Sequence, residues 1–228
     1  MALTPILRLV MAAALALPLA ACGTGRDDPL VRAVQGLGGT VFGGEEEATP
    51  VFTAATVPPE LVAQLPGPLM LVEVLSSERS SGMTRVGRNG PNETWRGPNG
   101  IGLTVDGAGV LRSTRGFGFD LMASDVRPTA AALRARRAGQ VERAMIHLDG
   151  EAGQIRRVYS CEMQLDGRET VTIAGRETAL TRMTERCIGR DGYRFENVFW
   201  LDHGGQAIQS IQWVSAEIGG FRITRLRD

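Results

Sequence analysis

The sequence predicts a mostly β domain, an antiparallel meander forming a barrel or a strongly curled half-barrel, with a few short helices. Three observations carry this expectation. Short strand-like runs fill the second half of the chain and are joined by glycine-containing turns such as Asp166-Gly167, Asp191-Gly192 and Gly204-Gly205, the usual punctuation of hairpins. Within the runs the side chains alternate: Arg156 to Leu165 puts Tyr159, Cys161, Met163 and Leu165 on one face and Ser160, Glu162 and Gln164 on the other, the period of a half-buried strand. Finally, six strands in succession, added to several earlier ones, exceed what a flat sheet holds without curling or splitting.

The elements follow in order. Pro29 to Leu37 and Pro58 to Leu65 read as short helices, each opened by proline and closed by glycine or proline. Leu69 to Leu75 is an apolar run with Glu73 inside it, bounded by Pro68 and Ser76-Ser77, and its length favours a buried strand. Thr84 to Val86 and Glu93 to Arg96 flank a turn-rich stretch from Gly87 to Asn92. Ile101 to Val105 alternates, and Asp106-Gly107 turns it into Val110 to Thr114. Arg127 to Ala138 is a helix with Pro128 at its start and Gly139 after its end. Strands are then expected at Gln140–Leu148, Arg156–Leu165, Glu169–Ala174, Thr178–Ile188, Tyr193–Leu201, Ala207–Ser215 and Phe221–Leu226, with Asp149-Gly150 and Gly175 among the turns.

The first residues belong to no fold. Met1 to Ala21 carries one charge, Arg8, then an apolar core and small residues, which is the form of a secretory signal and too short to span a bilayer. It ends in Leu19-Ala20-Ala21-Cys22, a lipobox. The expected layout is a signal at 1–21, a lipid-anchored tether at 22–28 and one periplasmic domain at 29–228. Two or more acyl chains on Cys22 would hold the protein stably to a bilayer, each buried methylene contributing about 0.8 kcal/mol. Gly23, rather than an aspartate that would favour inner-membrane retention, points to the periplasmic face of the outer membrane.

Composition narrows the chemistry. Acidic and basic residues balance at 25 each, all the basic ones arginine, so nucleic-acid binding has no electrostatic footprint. With Cys22 assigned to lipid, Cys161 and Cys187 remain as an even pair in an oxidising compartment and are expected to form a disulfide. Zinc is the alternative, but two cysteines and two distant histidines, His147 and His203, supply a poor ligand set. No cofactor is expected, because no phosphate loop, dinucleotide fingerprint or metalloprotease helix is present.

Candidate chemical groups each carry a structural reading. His147 and His203 read as surface or turn residues. Asp120 and Asp125 could pair for glycoside cleavage, but their places beside the Arg127 helix fit capping and turning better. Trp95, Trp200, Trp213, Tyr159 and Tyr193 could stack sugars, although large aromatics more simply fill the core of an aromatic-poor domain. The core reading is stronger for Trp200 and Trp213 than for Trp95, which sits among polar residues. Arg134, Arg136 and Arg137 form a small basic cluster that reads as a solvated helix face.

The stretch from Trp95 to Asp125, with its strand NGIGLTV and the return GVLRSTRGFGFDLMASD, resembles the YjbF family, also called group 4 capsule polysaccharide lipoproteins. The matching positions are Trp95, Gly100, Leu103, Gly109, Thr114, Gly116, Phe117, Asp120 and Leu121. The glycine- and arginine-rich segment from Ser81 to Gly90 departs from the pattern. The resemblance implies a noncatalytic accessory protein for production or export of extracellular or capsular polysaccharide, with export proteins or the polymer itself as partner, and it implies no active site. A carrier holding an acyl chain inside a half-barrel and a glycan-modifying enzyme are the rival expectations.

Overall fold

The structure, a computed structural model, describes residues 51–77, 79–148 and 153–228. The signal, the lipobox with Cys22, the tether, the helix expected at Pro29–Leu37 and the Asp149-Gly150 turn lie outside the described residues. The described chain forms one twelve-stranded antiparallel sheet curled into a nearly closed barrel. Its strands are β1 (Leu69–Val74), β2 (Arg79–Asn89), β3 (Asn92–Arg96), β4 (Gly102–Val105), β5 (Leu111–Arg115) and β6 (Leu121–Asp125). After a helix come β7 (Gly139–Leu148), β8 (Gln154–Ile173), β9 (Arg176–Gly189), β10 (Arg194–Leu201), β11 (Ala207–Ser215) and β12 (Gly219–Arg227). Two α-helices, α1 (Pro59–Gln64) and α2 (Arg127–Ala135), complete it.

The ladder order is β5-β4-β3-β2-β1-β12-β11-β10-β9-β8-β7-β6. Neighbours in sequence are therefore neighbours in space except where the first strand meets the last, with Val72 opposite Ile223. The two ends of the ladder, β5 and β6, are joined by the short connection 116–120. No backbone ladder joins them; side chains close the seam instead. Thr114 Oγ1 donates to Asp120 Oδ1 (2.7 Å) and accepts from the Leu121 amide (2.9 Å), while Asp120 Oδ2 accepts from the Gly116 amide (2.8 Å).

Alternation decides what fills the barrel. Met70 and Val72 of β1, Trp95 of β3, Leu103 of β4, Tyr159 of β8 and Phe221 of β12 all enter one packed cluster inside it. Leu69 and Leu71, on the opposite face of β1, pack outside against Val57, Leu61 and Val62 at α1. Trp200 also lies on an outer face, packed with Leu180 and Val198. A cross-strand set, Gln164–Arg186 (2.6 Å) and Arg186–Glu196 (2.9 Å), marks an exposed, water-facing part of the wall, unlike the apolar belt of a membrane barrel. No helix among the described residues is long and apolar enough to cross a membrane.

Four expectations are corrected. Asp166-Gly167 is a bulge rather than a turn: β8 runs unbroken for 20 residues, with the register shifting between Leu165 and Gly167. Gly167 has φ +110, which lets one extra residue be absorbed without ending the ladder. The glycine-rich stretch before Asn92 is mostly strand, because β2 extends through Asn89 opposite β3. The helix α2 stops three residues early, since Arg136 turns left-handed at φ 45 while its amide bonds back to Leu133 and Ala132 carbonyls, a C-terminal cap that glycine usually supplies. Leu121–Asp125 is a strand that sequence alone did not mark.

Candidate functional site

The barrel has two unlike ends. At one, α2 lies across the opening, and its Ala130 and Leu133, with Val126 just before it, pack on Phe199, Leu201 and Ala207. Arg134 reaches Asp106 (2.9 Å), and Arg136 donates to the carbonyls of Asp202 (2.6 Å) and His203 (2.5 Å). Arg134 and Arg136 thus latch loops together, while Arg134 and Arg137 remain exposed, as the sequence indicates for a solvated face. His203 is exposed in its turn, as the sequence indicates.

Below α2, the interior holds a buried polar network. Glu185, with no exposed surface, accepts from Thr129 Oγ1 (2.5 Å), Arg143 (2.5 Å) and Asn197 (2.6 Å). Cys161 and Cys187, directly opposite on β8 and β9, form the expected disulfide beside it. Cys161, Glu185 and Cys187 are near enough to share an ion, but sulfurs joined in a disulfide offer no thiolate.

A second buried carboxylate organises this half. Glu93 accepts from Arg88 and from Arg225 (2.6 Å), with Arg85 also paired to it (3.1 Å). Burial works to raise the Glu93 carboxyl pKa, yet the hydrogen bonds and charges of Arg88 and Arg225 outweigh it and hold the group below the ordinary value. Trp95 is fully buried beneath them, with Arg85 and Arg225 over its ring. The polar residues beside it in sequence thus hid a core position, whose ring partners come from β2 and β12.

The other end is open. The connections after β1, β5, β9 and β11 rim a mouth that contains two clefts of about 570 and 630 Å³. Phe119 lines both, standing between them 59% exposed. The first cleft is the candidate site. It arises where β10 and β11 part: their ladder ends at Val198 opposite Ile211, and Asn197 Oδ1 instead takes the Trp213 amide (2.7 Å).

That parting lets an aromatic group form. Trp213 stacks on Phe195 at 4.5 Å and 14°. Tyr193 lies 5.5 Å away and its hydroxyl accepts from the indole Nε1 (3.2 Å). Tyr159 and His147 meet the indole edge-on at 6.1 and 5.7 Å. Trp213 is only half-buried, whereas the sequence favoured it as core. His147, expected at the surface, is 6% exposed. Its Nε2 donates to the Val214 carbonyl (2.7 Å), because a carbonyl can only accept. Burial pushes the imidazole below its ordinary pKa, so it is neutral near pH 7. Its Nδ1 is then a buried acceptor without a hydrogen-bond partner among the described residues.

Asp120, Asp191, Glu217 and Arg157 add the cleft's charges. Asp191 caps the turn into β10 through the Tyr193 amide (3.0 Å). Asp120 lies before β6 and closes the seam, whereas Asp125 ends β6 in a bidentate pair with Arg127 (2.9 and 2.7 Å) that depresses its pKa to about 2. The two carboxylates are not brought to a common site. Sequence reasoning missed Arg157, Asp191 and Glu217. Asp191 carried only a turn signal, and nothing in the letters around Arg157 or Glu217 distinguishes them.

The resemblance motif converges on the seam and the interior behind it. Thr114, Gly116, Phe117, Asp120 and Leu121 make the clasp between β5 and β6; Trp95 and Leu103 pack within. Gly100 ends the 3-10 turn Pro98–Gly100. Gly116 has φ +84 and a Cβ there would lie 3.2 Å from Ile101 Cα; Gly109, at φ +85, abuts Ala207, whose Cβ would lie 3.0 Å from one added there. Both the turn and the close approach require glycine.

Among solved structures, the hypothetical lipoprotein YmcC from Escherichia coli (K12) shares this fold at 20% sequence identity, covering 75% of this chain and 89% of that one with a TM-score of 0.65. No curated protein matches the chain. The family described as group 4 capsule polysaccharide lipoprotein gfcB, YjbF, matches residues 20–226, nearly the whole sequence. By that match the chain belongs to the YjbF family of group 4 capsule polysaccharide lipoproteins.

Proposed function

We propose that this protein is a noncatalytic accessory or scaffold in the production or export of a capsular or extracellular polysaccharide. Acyl chains on Cys22 tether it to the periplasmic face of the outer membrane, and its partners are export proteins or the polymer. The observation that carries the noncatalytic reading is that the best acid–base candidates are engaged in holding the fold. Asp120 is saturated by Thr114, Gly116 and Phe117, Asp125 is held by Arg127, and His147 donates its one proton to a backbone carbonyl. A glycosidase needs two carboxyl groups facing one bond, about 5–10 Å apart, and these two serve opposite ends of β6. The packed interior also favours a scaffold over an acyl carrier, which would need an empty apolar lumen.

Deleting the gene should lower exported polysaccharide, and Asp120→Asn or Asp125→Asn should restore it as well as the natural gene does wherever the variant accumulates. Cys22→Ala should move the protein out of the membrane fraction. Normal polymer export in the deletion strain would overturn the reading. Loss of polymer cleavage or modification in either aspartate variant, with the protein still folded, would return the case to an enzyme.

A further inference from the structure

We propose that the aromatic cleft at the barrel mouth is a sugar-binding site that takes a neutral or amino-sugar unit of a glycan chain. The inference rests on the polysaccharide role above and adds where the polymer binds and what kind of sugar is accepted.

The platform is pre-organised. Trp213 is backed by Phe195 and fixed by its hydrogen bond to Tyr193, so little conformational freedom remains to be lost on binding. Tyr193, 40% exposed, and Phe119 extend this surface toward solvent. A sugar ring presents one face of C–H groups, weakly positive, to which the negative face of an aromatic ring is complementary. The same ring carries hydroxyl donors at its edge, and the cleft supplies acceptors there.

His147 gives the independent sign of a ligand. It lines the cleft, is buried, and leaves Nδ1 without a donor among the described residues. A buried acceptor left without its hydrogen bond costs stability; Nδ1 is closed to solvent, so a sugar hydroxyl, a donor of the right kind, meets it only as the wall of the cleft yields. The cleft's size of about 570 Å³ falls within the roughly 300–1,000 Å³ usual for small-ligand sites.

Charge selects the class of sugar. Among the described residues, three carboxylates, Asp120, Asp191 and Glu217, border the cleft against one guanidinium, Arg157. A uronate, phosphate or pyruvate substituent would meet like charge, while neutral hydroxyls and an amino-sugar ammonium would not. A fatty acid or anionic phospholipid would be disfavoured on the same ground.

The test uses the mature, acylated protein in detergent micelles. Tryptophan emission and calorimetry follow titration with fragments of the source cells' own surface polymer and with tetramers of N-acetylglucosamine, glucosamine and galacturonate. Dioleoylphosphatidylglycerol is the lipid control. Saturable binding is expected for the polymer fragments or for a neutral or amino tetramer, with galacturonate about tenfold weaker or more, a difference of about 1.4 kcal/mol. Tyr193→Ala and Trp213→Ala should each weaken binding about tenfold or more; Tyr193→Ala is the control for folding, since its exposed ring leaves the melting temperature near that of the natural protein. Glu217→Arg should narrow the galacturonate deficit.

Absence of binding to every sugar, a preference for galacturonate or lipid, or binding indifferent to both aromatic variants would each overturn the site. If the deletion strain loses its polymer but the protein binds no sugar, only this inference falls. If sugars bind while the deletion strain exports normally, the site stands and the accessory role falls.

Discussion

The closed and open ends of the barrel are built from the same meander, yet they use their polar residues differently. Toward α2, the buried carboxylates each find several partners: Glu185 holds Thr129, Arg143 and Asn197, and Glu93 gathers Arg85, Arg88 and Arg225. At the mouth, among the described residues, His147 leaves Nδ1 unpartnered, while Asp120 and Asp191 spend their oxygens on backbone amides and a threonine hydroxyl and have no ion pair. Unmet polarity is not confined to the mouth, since Arg143 Nε, Arg225 Nε and Trp95 Nε1 lie buried without partners among the described residues toward α2; what distinguishes that end is that each buried carboxylate has its charge countered.

Substitutions should therefore divide by end. Glu185→Ala would leave Arg143 buried without its charge partner, which costs about 3–5 kcal/mol; urea unfolding should show it, and pairing it with Arg143→Met should recover much of the loss. Replacing Cys161 and Cys187 by alanine opens a loop with a sequence separation of 26. The chain-entropy model expects a loss of about 3–4 kcal/mol, read as a lower unfolding midpoint without change of fold.

Glu93 makes the closed end sensitive to acid. Its folded pKa lies below the ordinary 4.5, so on acidification the unfolded chain takes up the proton first. Its contribution is complete above about pH 4.5 and fades as the pH falls through the lowered value. Glu93→Gln should make the unfolding free energy less steep in that window, and an unchanged slope would count against the arginine cluster. At the seam, Asp120→Asn should cost about 1–3 kcal/mol and speed amide exchange in β5 and β6 more than elsewhere. Phe119→Ala, at the open rim, should change stability by no more than about 0.5 kcal/mol. A larger loss would mean that the mouth contributes to holding the barrel just as the helix-capped end does.

Much of this division was readable in the sequence. Alternation and glycine turns identify most strands, the buried run Leu69–Val74, and the cysteine pair, because each follows from local period or parity. The failures share a physical origin. Asp166-Gly167 has turn chemistry, and only the matching length of β9 makes it a bulge inside β8. Trp213 sits in an ordinary strand pattern and packs against the core, and its partial exposure follows from β10 and β11 separating, an event with no local signature. His147 reads as a surface residue by its chemistry but faces inward, because it shares its face of β7 with the buried Arg143 and Met145. The motif around Thr114 and Asp120 could be matched by letters, while its work as a clasp appears only when β5 and β6 lie side by side.

The pairing of β1 with β12 has a bearing on how the molecule comes into being. The arc from β5 to β1 and the arc from β11 to β6 touch through the final strand, which joins Leu69 to Arg227 across most of the chain. Contacts so far apart in sequence form slowly, since a long loop must close before they return any free energy. A ribosome or export channel releasing the chain from its N-terminus would keep β1 waiting with one edge bare until the final strand, Gly219–Arg227, emerges. Truncation before Gly219 would therefore leave two open sheets hinged at 116–120, each with an edge prone to pairing with another molecule.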